Sequence, residues 1–88
     1  MIDLERARAE TPGCLDRVFL DSAGSSLPPT AALEAVVGHL RREAEVGGYV
    51  AEEERAADLA GVRTSLARLL GCAAEDVALV DSATRAWT

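Results

Sequence analysis

Eighty-eight residues, 49% of them apolar, suffice for one small domain, yet seventeen of the apolar residues are alanine and Phe19, Tyr49 and Trp87 are the only aromatics. A chain of this length buries roughly 60% of the surface that its unfolded form exposes, so this composition predicts poor stability in isolation. The formal net charge of −6 argues against nucleic-acid partners, and all nine basic residues are arginine, so no side-chain amine is present to form a Schiff base.

The opening Met1-Ile2-Asp3-Leu4-Glu5-Arg6 has neither a basic nor an apolar leader region, and no apolar run approaches the length of a membrane span. A cytoplasmic protein without a membrane partner is therefore expected. Cys14 and Cys72 have no companion at metal-ligand spacing and read as two free thiols.

In chain order, residues 3 to about 10 read as a short helix ended by Thr11-Pro12-Gly13. Val18-Phe19-Leu20 follows as a brief strand. Asp21-Ser22-Ala23-Gly24-Ser25-Ser26 is small and polar and reads as a loop. Pro28-Pro29 opens a long helix, along which Leu33, Val36, Val37, Leu40 and Ala44 form one apolar stripe, and Gly47-Gly48 ends it. Tyr49, after the double glycine, is expected to pack a hinge or to project into a site. A second long helix is predicted from about Ala51 to Gly71, with Leu59, Val62, Leu66 and Leu69 on one face and the acidic cluster Glu52-Glu53-Glu54 at its solvated start. Gly61 either weakens that helix or admits a close neighbour. Val77-Ala78-Leu79-Val80 is a second short strand, and it turns through Asp81-Ser82 into a helix that has only begun at Thr88. Two separated strands among helices make no sheet alone, so the pattern is the entry to an α/β fold, mostly helical within these residues.

Chemistry concentrates at the last turn. Unpaired N–H groups of Ala83, Thr84 and Arg85 at the head of a helix can cradle a phosphate, with the Ser82 and Thr84 hydroxyls as further donors. The competing reading is an ordinary cap, with Asp81 or Ser82 as the capping residue and the Asp81 carboxylate filling the anion's place. His39 lies mid-helix without a triad partner. Ser22, Ser25 and Ser26 lack the setting of a hydrolase nucleophile.

Five segments occur together in one order: Phe19-Leu20-Asp21-Ser22-Ala23-Gly24, Leu27-Pro28-Pro29, Glu45-Val46-Gly47-Gly48-Tyr49, the helix end Arg63-x-x-Leu66-Ala67-x-Leu69-Leu70-Gly71, and Ser82-Ala83-Thr84-Arg85-Ala86-Trp87. In this they resemble the class V aminotransferases, a group that includes cysteine desulfurases and C–S lyases. The resemblance spans the chain from about residue 3. It implies the N-terminal part of a fold type I enzyme, with residues 1–88 an incomplete segment of its domain, pyridoxal 5′-phosphate (PLP) as cofactor, an amino-acid substrate and a homodimer. It also implies cofactor-phosphate contacts from Ala83 and Thr84, with Ser82 beside them, and substrate-side positions at Ser22, Ala23 and Gly24. The family's Schiff-base lysine, its aspartate facing the pyridine nitrogen and its ring-stacking histidine lie beyond the point corresponding to Thr88. The expectation is a segment that supplies part of a phosphate site and no catalytic residue. The alternative is a small non-catalytic module that binds a partner helix through its apolar stripes.

Overall fold

The computed structural model describes all residues from Met1 to Thr88 as six α-helices and two 3-10 turns. The chain divides into two units, residues 1–48 and residues 49–88.

In the first unit, α1 (Leu4–Ala9) begins where the Asp3 carboxylate accepts a hydrogen bond from the Arg6 N–H at 3.1 Å. Glu10, paired with Arg6 at 2.8 Å, holds the guanidinium's proton more firmly than usual. The Thr11 hydroxyl donates to the Ala7 carbonyl at 2.8 Å as the chain turns into the 3-10 turn Pro12–Cys14. There the Arg8 guanidinium donates to the Cys14 carbonyl at 3.1 Å, and the Cys14 thiol donates to the Thr11 carbonyl at 3.1 Å. Together these bonds clasp the turn to the helix end.

Two further contacts tie this start to the long helix α3 (Thr30–Val46). The Thr30 N–H donates to the Glu10 carbonyl at 2.8 Å. Leu27 lies directly over Gly13, where a Cβ would come within 2.7 Å of its Cδ2. Proline leads into α3 as expected, but Pro29 takes the capping position and Thr30 is the first helical residue. The helix ends at Gly47, whose φ of 84° is a conformation that L side chains rarely adopt, and whose N–H reaches the Glu43 carbonyl at 2.8 Å.

Three sequence expectations need correction in detail. Residues 21–26, expected as a loop, contain one helical turn, α2 (Ser22–Ser25), in which the Asp21 carbonyl accepts from both Gly24 and Ser25. The strands expected at 18–20 and 77–80 are not formed. Neither segment has a ladder partner, and a strand holds its shape through neighbours more than through its own propensity. The single helix expected from Ala51 to Gly71 is broken into α4 (Gly48–Glu54) and α5 (Ala56–Leu70). Glu52-Glu53-Glu54 thus closes a helix instead of opening one, and three carboxylates on the negative end of the helix dipole are a physical reason for the interruption at Arg55.

In the second unit, α5 ends on Gly71 at φ 72°, ψ 35°. The N–H groups of Gly71 and Cys72 both turn back to the Ala67 carbonyl, the latter at 3.0 Å. The 3-10 turn Ala74–Asp76 then packs against α5, its start fastened by the Ala73 N–H donating to Asp76 Oδ2 at 3.3 Å. Gly61 has nothing within 4 Å of a Cβ position, so it admits no close neighbour and stands only as a weak point of α5.

Burial is the unusual quantity. Ala51 and Ala67 are the two buried apolar residues, and no large side chain is fully buried. Leu33, Val36 and Leu40, on the stripe expected to face a core, are 54%, 60% and 58% exposed. Two separately compact bodies sharing this chain's 9.2 kDa would expose about 5,900 Å² in all on the usual mass scaling. The chain exposes 7834 Å². The amphipathic helices are formed, and their apolar faces are left open.

Candidate functional site

The turn at residues 81–84 resolves the choice of cap. Ser82 has extended backbone, and its Oγ accepts a hydrogen bond from the Arg85 N–H at 3.1 Å. Its carbonyl accepts from Ala86 at 3.0 Å, the first backbone bond of α6 (Ala83–Trp87). Ser82 is therefore the capping residue, and Asp81 makes no capping bond. The N–H groups of Ala83 and Thr84 precede the first intrahelical bond and point out of the helix head without an acceptor. Ser82 Oγ keeps its own proton to donate, and the Thr84 side chain is exposed. These four donors belong to three consecutive residues at the start of a five-residue helix. α6 is too short for its dipole to matter much, so an anion here would be held by direct hydrogen bonds.

Ser22, Ala23 and Gly24 all lie in α2, in the first unit, and all are exposed. The Asp21 carboxylate folds over this turn, with Oδ1 2.9 Å and Oδ2 3.2 Å from where a Cβ on Gly24 would sit. A side chain at Gly24 would displace this exposed carboxylate, which makes no capping hydrogen bond. Sequence reading gave Asp21 no role.

Among the remaining candidates, His39 is half-buried on α3 and lies 3.2 Å from Glu43, one turn away on the same helix. Tyr49 is 92% exposed, so it does not pack a hinge. Cys14 and Cys72 are both unpaired thiols.

A curated protein of Mycobacterium tuberculosis (strain CDC 1551 / Oshkosh), a probable hercynylcysteine sulfoxide lyase, is 48% identical to this chain over 67 residues. The match takes in 76% of this chain and 17% of that protein, so the chain spans about a sixth of the length of the relative it matches. No family model and no solved structure matches. The likeness supports a broad relationship to that lyase and does not single out class V.

Proposed function

We propose that residues 1–88 are a segment of a PLP-dependent lyase or aminotransferase of the class V type that acts on an amino-acid substrate. On this reading the segment furnishes part of the cofactor's phosphate site and none of its catalytic groups. The single observation that carries the reading is the 48% identity to a lyase over most of the chain. The hydrogen-bond donors at the head of α6 and the uncovered helix faces are both consistent with it. The relative's name, a hercynylcysteine sulfoxide lyase, makes C–S bond cleavage on a sulfur-bearing amino acid the favoured reaction within the class. Homodimer formation and a cytoplasmic location belong to the same proposal.

The residues present fit one end of the cofactor. A phosphate dianion accepts hydrogen bonds, and the N–H groups of Ala83 and Thr84 with the Thr84 and Ser82 hydroxyls are donors gathered on one turn. Ser82 does two things at once, since its oxygen fixes the helix head by accepting from Arg85 while its proton remains available. When bound, PLP supplies an electron sink for cleaving bonds at the substrate's α and β carbons. The covalent anchor for the cofactor comes from elsewhere, because the chain has no lysine. Ser22, Ala23 and Gly24 are proposed on the substrate side, where the open turn under Asp21 offers small residues and exposed backbone.

The test is PLP affinity of the complete enzyme. Thr84→Val removes one hydroxyl donor at nearly constant volume and weakens PLP binding by about tenfold, the value of one charge-assisted hydrogen bond. An unchanged PLP affinity would remove Thr84 from the cofactor site.

The apolar stripe on α3 is also what a helical interaction module would display. Cooperative unfolding of the isolated chain to a well-defined baseline would favour that reading.

A further inference from the structure

We draw no further inference here: the strongest candidate, the surface patch on α4 where Tyr49, Glu52 and Glu53 stand opposite the buried Ala51, is an acidic cluster beside an exposed ring, and nothing in the structure shows what covers it.

Discussion

Gly71 offers a prediction in which backbone conformation is separated from packing. Its φ of 72° and ψ of 35° place it in the left-handed region, and a Cβ built there meets nothing within 4 Å. Replacing it with L-alanine therefore costs only the backbone penalty of that region, about 1 kcal/mol. D-Alanine, introduced by chemical ligation, prefers the same region and narrows the unfolded ensemble, gaining about 0.5 kcal/mol. The Cys72 N–H, bonded to the Ala67 carbonyl at 3.0 Å, reports locally on this helix end by hydrogen exchange. Its exchange accelerates about fivefold with L-alanine and slows about twofold with D-alanine. If both enantiomers shift exchange in the same direction, packing and not conformation governs the end of α5.

Three further outcomes follow from individual contacts. Ser82→Ala removes the cap of α6 at a cost of about 1 kcal/mol, so the Arg85 amide exchanges about fivefold faster, and an unchanged rate would show that Ser82 is not the cap. Gly24→Ala places a Cβ 2.9 Å from the Asp21 carboxylate, which must rotate away, so the gain of about 1 kcal/mol that alanine brings over glycine in a helix is reduced in α2. The full gain returns in an Asp21→Ala background, and equal gains in both backgrounds, measured by a double-mutant cycle, would refute the contact between Asp21 and this position. Iodoacetamide modifies Cys72, which is exposed, before Cys14, which is half-buried with its thiol hydrogen-bonded to the Thr11 carbonyl, and peptide mass mapping that found the reverse order would contradict the clasp at α1.

Local signals were the legible ones. Asp3 before α1, the Pro28-Pro29 entry to α3, and Gly47 and Gly71 at helix ends all act through backbone chemistry within a few residues, and each element they mark is present. Elements that depend on remote partners were misread. The segments at 18–20 and 77–80 have strand composition, but pairing is a property of two segments and neither finds its mate here. The break at Arg55 has no glycine or proline to mark it in the sequence, and three adjacent glutamates at a helix end are a physical reason for it. At the site, sequence reading left Asp81 and Ser82 as rival caps. The hydrogen bond from Arg85 to Ser82 decides between them by geometry that residue types alone do not carry.

Exposed apolar faces on well-formed helices tie these observations together. α3 and α5 have the periodicity of helices that bury a stripe, and yet Ala51 and Ala67 are the only buried apolar residues. Such faces are what a segment shows when the layers meant to cover it lie elsewhere in a larger α/β protein. On the proposed function, those layers also carry the lysine, so one continuation completes both the core and the chemistry.

The most direct measurement is the nucleotide sequence of the reading frame past the codon for Thr88. The matched 67 residues make up 17% of the mycobacterial relative, which places that protein near 390 residues. The account predicts a continuation of a few hundred codons that brings at least one lysine into the same polypeptide. A stop codon close behind Thr88, or a long continuation without lysine, would contradict it.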